Sequence, residues 1–429
     1  MTADLDKAVR SAVWITAASL AATVSGVFFW AAAAALAGKA GLGAAAYEIA
    51  AANTAATLLN LGLQQYTLRF VKTERGKALA TALLAAALLA AAGAAALYAA
   101  GMRWAPLIAA SSLLSAPSTG ALIAADASQA YFVSTAVASA AKIGLLAAMP
   151  PAAAFAAATA ITAVLTTAYA LRRVGLDRPG DWGTFLAAGA SNYALNFSFS
   201  LATSLGVVVA GAVGGVGQAG VLYLVATAAM ALAAVSTAMA TASVPVMVEG
   251  GTSLAEKGAR IAAGVNTPIA VAASGLSPLL MALLGRQYEA DYPALAAAAP
   301  AAVMLAAVSL ATAVYNVERR WGSIAAVGLA ATASTAAAVA LVGEVGPAGP
   351  GLAITLGLAP PFLLSLRAVP RKPFLASLAA VAALGPAALY SGPLGTAAAV
   401  LASIAAMHLA GVFKAGDYAA LARAVLRRR

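Results

Sequence analysis

Residues 11–37 read SAVWITAASLAATVSGVFFWAAAAALA, an apolar run without a single charge. A helix needs about 20 such residues to cross about 30 Å of hydrocarbon. The run is too long for the apolar core of a signal peptide, and no small-residue cleavage site stands out from the surrounding alanines. We therefore predict that residues 11–37 form the first membrane-spanning helix.

The rest of the chain has the same composition. Of 429 residues, 63% are hydrophobic and only 9% are charged, and the mean hydropathy is +0.92. Ordinary soluble domains carry about 25% charged residues, and a soluble chain of this size would expose too much of its apolar surface. Soluble enzymes and nucleic-acid-binding domains are therefore excluded. The chain has no cysteine, which excludes a disulfide scaffold, and its one histidine leaves no His-rich metal site.

Charges, Gly/Pro pairs and turn clusters divide the chain into fourteen predicted spans. Their limits are 11–37, 43–68, 78–100, 104–125, 129–148, 151–171, 184–212, 218–247, 261–284, 294–316, 322–342, 349–366, 374–391 and 394–413.

The basic residues predict the orientation of these spans, because cytoplasmic loops collect Lys and Arg. With the N-terminus inside, 21 of the 25 basic residues fall in inside segments. The exceptions are Lys39, Arg103 and Arg286 in outside loops and Lys142 within a span. We predict a multi-pass protein of the plasma membrane with both termini in the cytoplasm. The net charge of +11 is then an orientation signal, so nucleic acid is not predicted as a partner.

An internal repeat predicts the architecture. The segments GLGAAAY (Gly41–Tyr47) and GQAGVLY (Gly217–Tyr223) share the pattern G-x5-Y, 176 residues apart, and each is expected to open the second helix of a six-helix block. Because each block crosses the membrane an even number of times, both blocks start on the same side and have the same orientation. They are then related by rotation about an axis along the membrane normal. We predict an all-α membrane protein of about 14 helices. Its parts are a six-helix lobe (1–174), a second six-helix lobe (175–369), an extra helix pair (370–413) and a basic cytoplasmic tail (414–429).

Polar residues recur at helical spacing inside several predicted spans, where they are costly unless they face protein or water. The second span carries Asn53, Thr57, Asn60, Gln64 and Thr67 at intervals of 4, 3, 4 and 3, which places all five on one helix face. The first span carries Thr16, Ser19 and Thr23, and the seventh carries Asn192 and Asn196. Interhelical hydrogen bonding is one interpretation. For the amide-rich stripe we favour the wall of a hydrated cavity.

Lys142 is a charged residue inside the fifth predicted span. A lysine at the centre of a helix costs about 2.5–3.5 kcal/mol to insert. It either faces the cavity or extends its stem to the outer headgroups. Carboxylates are scarce in the spans: the 14 acidic residues fall almost entirely in loops or tails, with Glu48 near an outer helix end and Asp126 in an inner turn.

Several motifs together resemble one family. They are the G-x5-Y entries, the basic loop RFVKTERGK (residues 69–77), the segment LLGRQYEADYPAL (residues 283–295) and the basic tail AGDYAALARAVLRRR (residues 415–429). This pattern is similar to the polysaccharide transporters, the Wzx-type lipid-linked oligosaccharide flippases of the multidrug/oligosaccharidyl-lipid/polysaccharide (MOP, MATE-like) exporter superfamily. Some flippases of this superfamily use arginines in the first-lobe cavity, whereas this chain offers only Lys142.

The resemblance implies a flippase that moves a polyprenyl-phosphate- or pyrophosphate-linked oligosaccharide to the outer leaflet by alternating access. Residues expected to line its substrate cavity are Thr16, Thr23, Asn53, Asn60, Gln64, Lys142, Asn192 and Asn196. The amides would bind sugar hydroxyls and Lys142 the phosphate. Expected partners are the lipid-linked substrate and membrane lipids, and glycosyltransferases or a polymerase of glycan assembly are candidate partners.

Two other functions stay open. One is a cation-coupled multidrug exporter of the same superfamily, for which loss of drug efflux on substituting Glu48 would be evidence. The other is a membrane-embedded enzyme or lipid scavenger of glycan assembly. The chain lacks a G-x4-GK[ST] nucleotide loop. Its predicted loops are short, whereas lipid-linked glycosyltransferases and ligases usually need a sizeable hydrophilic domain or a long loop for their chemistry. We therefore predict a transporter rather than an enzyme, with no metal and no cofactor.

Overall fold

A computed structural model describes residues 2–189, 215–252, 254–284, 286–343 and 345–413. These ranges are helical throughout apart from turns and contain no strand, which confirms the predicted all-α membrane class. The chain divides into two compact units: a first unit of Arg10–Tyr193, and a second unit of Ala194–Arg429 with Met1–Val9. The predicted division into two six-helix lobes and an extra pair stays a prediction.

The first half of the chain supplies the following helices. They are α1 (Thr2–Leu59), α2 (Leu63–Glu74), α3 (Gly76–Ala99), α4 (Ala105–Ala124), α5 (Ser128–Gly144, extended by a 3-10 turn over Leu145–Ala147), α6 (Pro151–Val174) and α7 (182–189).

The second half continues the series. Its helices are α8 (Gly215–Leu232), α9 (Ala234–Gly250), α10 (Leu254–Leu284), α11 (Tyr292–Val317, preceded by a 3-10 helix over Arg286–Asp291), α12 (Trp321–Val342), α13 (Gly349–Ser365), α14 (Arg371–Tyr390) and α15 (Gly392–Leu409).

Ten helical segments of the described ranges are long and apolar enough to cross a membrane, and α13 is a shorter apolar helix. The chain is a multi-pass membrane protein. Ten of the fourteen predicted spans correspond one-to-one to α3–α6 and α10–α15. Most of their ends agree within four residues, and α10 begins seven residues before its predicted start. The predicted span 184–212 lies mostly outside the described residues.

The prediction of one helix over residues 43–68 is wrong. Helix α1 ends at Leu59, and α2 begins at Leu63. Between them Gly62 adopts a left-handed conformation with φ 65°, which glycine reaches without steric cost. The Asn60 side-chain carbonyl accepts a hydrogen bond from the Leu63 backbone N–H at 3.2 Å. Asn60 thus supplies one of the acceptors that the first turn of α2 requires.

The first G-x5-Y segment also differs from its prediction. Gly41–Tyr47 lies inside α1 rather than at the start of a helix, whereas Gly217 stands two residues after α8 begins. No proline interrupts residues 11–59, so the backbone can keep its hydrogen bonds despite the local cost of glycine. The predicted span 218–247 is divided in turn, because Ala233 separates α8 from α9.

Contacts within the first unit show that α1 is bent. The Phe29 ring lies 5.7 Å from Phe155 near the start of α6, and Glu48 binds the backbone at the start of α4. Helices α4 and α6 run side by side and are joined by Ser118 and Thr167. In a straight helix Phe29 and Glu48 would be about 28 Å apart along the axis. Helix α1 is therefore bent between them.

Helix α4 occupies the centre of the first unit, where it packs against α2, α3 and α6. Small side chains allow these close approaches, and a Cβ added at Gly120 would overlap the Thr67 hydroxyl and the Gln64 carbonyl of α2. In the second unit α11 has the corresponding role. It is buried along most of its length and packs against α8, α9, α10 and α13.

Candidate functional site

Lys142 lies near the end of α5, between two aromatic rings. Its Nζ is 5.6 Å from the ring centroid of Phe29 on α1 and 5.6 Å from that of Phe155 on α6. The side chain is half-buried, and no carboxylate of the described residues lies within ion-pair distance of it. An ammonium on an aromatic face gains about 0.5–2 kcal/mol. The two rings therefore hold the charge of Lys142 without neutralising it.

Toward the start of α5, further aromatic and polar contacts join this helix to α1. The Trp14 ring lies 5.3 Å from Phe132 on α5, and the hydroxyls of Ser11 and Ser128 are hydrogen-bonded. Helices α1 and α5 thus run alongside each other from Ser11 to Phe29. This pairing places Lys142 beside the first half of α1, a relation that the sequence did not predict.

The predicted amide stripe of the second span is divided between two helices. Asn53 is exposed on α1, Asn60 caps α2, and Gln64 is half-buried on α2. Thr67 is fully buried, and its hydroxyl donates to the backbone carbonyls of Leu63 (3.3 Å) and Gln64 (3.0 Å). The break at Gly62 separates Asn53 from Gln64, so the five residues do not share one helix face.

The hydroxyls of α1 bond mostly to their own helix. Ser19 donates to the Ile15 carbonyl at 3.1 Å, and Thr23 donates to the Ser19 carbonyl at 2.9 Å. Thr16 is half-buried and Thr23 is exposed. Such local bonds satisfy a hydroxyl without a partner on another helix. The predicted cavity residues Asn192 and Asn196 lie outside the described residues.

Glu48 has a structural role at the start of α4. Its Oε2 accepts hydrogen bonds from the backbone N–H groups of Trp104 and, at 2.9 Å, Ala105. A carboxylate at a helix N-terminus satisfies unpaired donors and complements the positive end of the dipole. The acidic residues of the ten candidate spans are Glu256, Glu289 and Asp291, all within the first four residues of their segments.

The second unit contains buried polar residues that the sequence analysis missed. Asn266 on α10 accepts a hydrogen bond from Ser236 at 2.8 Å and donates one to the Ala302 carbonyl at 3.0 Å. Its neighbour Thr267 donates to Ser377 on α14 at 2.7 Å. These bonds link α9, α10, α11 and α14. The sequence feature that could have indicated them is an asparagine followed directly by a threonine within an apolar span.

The described residues contain no group of three or more His, Cys, Asp or Glu side chains arranged to hold a metal ion. The contacts around Lys142 bring together one ammonium and two aromatic rings. Such groups bind a ligand by hydrogen bonds and by charge.

Comparison with known proteins gives a fold. No family model matches the chain, and no curated protein sequence does. Solved structures do match: a multidrug resistance MATE family transporter of the MOP superfamily has a TM-score of 0.68 at 15% identity, with 89% of this chain and 97% of that chain covered. The chain has the MATE transporter fold. A mutant of the Vibrio cholerae MATE transporter VcmN is similar, with a TM-score of 0.70 at 13% identity over 89% of this chain and 98% of that one.

A second form of VcmN, called bent, shares the MATE fold with a TM-score of 0.64 at 12% identity, covering 89% of this chain and 99% of that chain. These structural neighbours are all transporters. Identities this low show the fold alone, and one fold can host several functions. The MATE fold therefore leaves both the activity and the substrate to be argued from the site.

Proposed function

We propose that this protein is a flippase that moves a polyprenyl-phosphate-linked oligosaccharide across the plasma membrane by alternating access. The glycan and phosphate would pass through a hydrated cavity while the lipid tail remains in the bilayer. The observation that carries the proposal is the charge of Lys142. It is held between Phe29 and Phe155 with no carboxylate partner among the described residues.

An unneutralised ammonium inside a membrane segment favours an anionic ligand. A phosphate entering a low-dielectric space needs a compensating charge, and charge-assisted hydrogen bonds supply it. A cationic substrate would be repelled by the same group. The positions of the acidic residues also favour an anionic over a cationic substrate. In the ten candidate spans these residues lie at the ends of the segments, away from the middle of the membrane.

The polar residues of α1 and α2 would then bind the glycan. Asn53 is exposed, and Gln64, Thr16 and Thr23 are accessible at least in part. The Asn60 carbonyl oxygen already accepts one hydrogen bond from Leu63, and its amide NH₂ remains for a sugar hydroxyl. We propose Asn192 and Asn196 for the same role on the basis of their sequence pattern.

A cation-coupled multidrug exporter is the second candidate, and the fold supports it equally. The observation in its favour is the similarity to a multidrug resistance MATE transporter. Such coupling requires a carboxylate that is free to bind and release a cation. The Glu48 carboxylate accepts hydrogen bonds from two backbone N–H groups at the start of α4, those of Trp104 and Ala105, which argues against that use of this residue.

The test compares both transport reactions in one preparation. The purified full-length protein is reconstituted in liposomes with a fluorescent polyprenyl-diphosphate oligosaccharide, and exposure of the glycan to an added glycosidase measures translocation. Parallel liposomes measure export of a cationic dye under a proton or sodium gradient. Translocation without dye export is expected, and dye export without translocation would overturn the proposal in favour of the second candidate.

Substitution of Lys142 tests the site itself. Loss of a hydrogen bond to a charged group costs about 1–3 kcal/mol, so Lys142→Met should weaken substrate binding roughly 5- to 150-fold. Lys142→Arg should retain part of the activity, because it keeps the charge and changes its geometry. Lys77→Met, the same change at an exposed lysine of α3, is the matched control. Full activity of Lys142→Met would show that the phosphate binds elsewhere.

A further inference from the structure

A cavity of about 480 Å³ opens at one end of the first unit, where α4 ends, α5 begins and α6 ends. Its walls combine two kinds of side chain. Polar groups come from Gln129, Tyr169, Arg172 and Arg173, and apolar groups come from Leu122 and Val133. The α5 residues that line the cavity, from Gln129 to Val133, lie about 2.5 to 3.6 helical turns from Lys142, so the cavity is separate from the candidate substrate site.

The polar side of the cavity is positively charged. Arg172 and Arg173 are exposed, and neither has an ion-pair partner among the described residues. The one carboxylate that lines the cavity is Asp126, whose Oδ2 lies 3.2 Å from Nζ of Lys72. The Asp126 charge is thereby offset, and the two guanidinium groups remain in excess. Guanidinium groups bind phosphate oxygens in pairs of parallel hydrogen bonds.

The apolar side leads away from the arginines along a membrane-spanning helix. Val133 lines the cavity with 38% of its surface exposed, and Val137, one turn further along α5, is 47% exposed. The segment Ser128–Ala147 is one of the ten candidate membrane spans. The path from Arg172 to Val137 therefore runs from a charged membrane surface toward the hydrocarbon. A ligand that fits it has an anionic head and an apolar chain.

We propose that this cavity binds an anionic phospholipid, with the headgroup phosphate at Arg172 and Arg173 and one acyl chain along Val133 and Val137. The distribution of basic residues predicts that this end of the unit faces the cytoplasm. The cytoplasmic leaflet carries the anionic lipids, and basic pockets between membrane helices bind their headgroups. The inference does not depend on which substrate the protein transports.

The experiment measures lipid retention by native mass spectrometry of the purified full-length protein. The probes are phosphatidylglycerol and phosphatidylcholine of identical acyl chains, titrated into detergent-solubilised protein. We expect tighter binding of phosphatidylglycerol, and an affinity reduced about tenfold or more in the double variant Arg172→Gln/Arg173→Gln. Val133→Trp should reduce it as well, because the indole fills the apolar part and leaves every charge in place.

A matched control separates the cavity from general electrostatic attraction. Arg319→Gln/Arg320→Gln removes two adjacent arginines after α11 in the second unit and lowers the net charge equally. Its phosphatidylglycerol affinity should stay within about twofold of the parent. Size-exclusion profiles identical to the parent confirm that each variant is folded.

Three results would overturn the proposal. Equal losses in the two arginine double variants would indicate attraction by overall charge. Unchanged phosphatidylglycerol binding in Val133→Trp would show that no acyl chain occupies the cavity. The cavity would then be a site for free anions such as inorganic phosphate. Equal affinity for phosphatidylglycerol and phosphatidylcholine would exclude recognition of an anionic headgroup.

Discussion

Oε2 of Glu48 on α1 accepts a hydrogen bond from the backbone N–H of Ala105, the first residue of α4, at 2.9 Å. The two residues are 57 positions apart in the sequence. The carboxylate performs for α4 the function that a local Ser, Asp or Asn performs for most helices. No side chain adjacent to the start of α4 makes such a bond. Glu48 therefore ties the bent half of α1 to the central helix of the first unit.

Removal of this cap should destabilise the protein. We expect Glu48→Ala to lower the unfolding free energy by about 1–2 kcal/mol and Glu48→Gln to lower it less, because the amide oxygen still accepts a hydrogen bond. Thermal unfolding in detergent measures the effect, with Glu289→Ala at an exposed carboxylate as the control. A Glu48→Ala variant with the parent melting temperature and no transport would instead indicate a coupling role.

Gly120 should tolerate no side chain. A Cβ at this position would meet the Thr67 hydroxyl and the backbone carbonyl of Gln64, so Gly120→Ala should force α2 and α4 apart and cost about 1–3 kcal/mol. Gly26→Ala on α1 is the matched control, because no atom lies within 4 Å of its added Cβ and alanine favours helix. Equal melting temperatures for both variants would contradict the close packing of α2 on α4.

Asp181 precedes helical residues 182–189 and caps them. Hydrogen bonds from the Thr184 hydroxyl (2.6 Å) and from the backbone N–H groups of Gly183 (2.8 Å) and Thr184 (3.2 Å) lower the pKa of its carboxyl. A lowered folded pKa means that the ionised cap contributes its full stabilisation above the ordinary aspartate value of about 3.9. That contribution is lost as the pH falls through the lower folded pKa.

The measurement for Asp181 is thermal unfolding between acidic and neutral pH. Asp181→Ala should be less stable than the parent at neutral pH, and the difference should shrink only at acidic pH. Asp177→Asn, an exposed neighbour before the same helix, serves as the control. A difference that persists unchanged to the lowest pH would contradict an ionised cap.

The distribution of basic residues predicts the orientation of the first unit. The chain has no native cysteine, so a single introduced thiol gives an unambiguous signal. Cysteine at Ala100, exposed between α3 and α4, should react with a membrane-impermeant reagent added to intact cells. Cysteine at Asp177, exposed after α6, should react only after the membrane is opened. The reverse pattern would invert the predicted topology.

The sequence by itself determined the class and most of the helices. Apolar length and the positions of charges are local properties, so α3–α6 and α10–α15 could be predicted within a few residues, apart from the start of α10. The low charge content can also be read from the sequence alone, and it excluded a soluble protein. The presence of a cation in the fifth span and the scarcity of carboxylates were also visible, and they direct the proposal toward an anionic substrate.

Only the tertiary structure decided how α1 and α2 are arranged and what surrounds the polar residues. Helical periodicity predicts one continuous helix over residues 43–68, with its polar residues on one face. In the structure the helix ends after Leu59, where the left-handed Gly62 and the hydrogen bond to Asn60 begin a new helix. The cavity lined by Arg172 and Arg173, the rings around Lys142 and the cap that Glu48 provides for α4 join residues from different helices. Such contacts depend on which helices pack together, and that choice follows from shape complementarity along whole helices rather than from any local pattern.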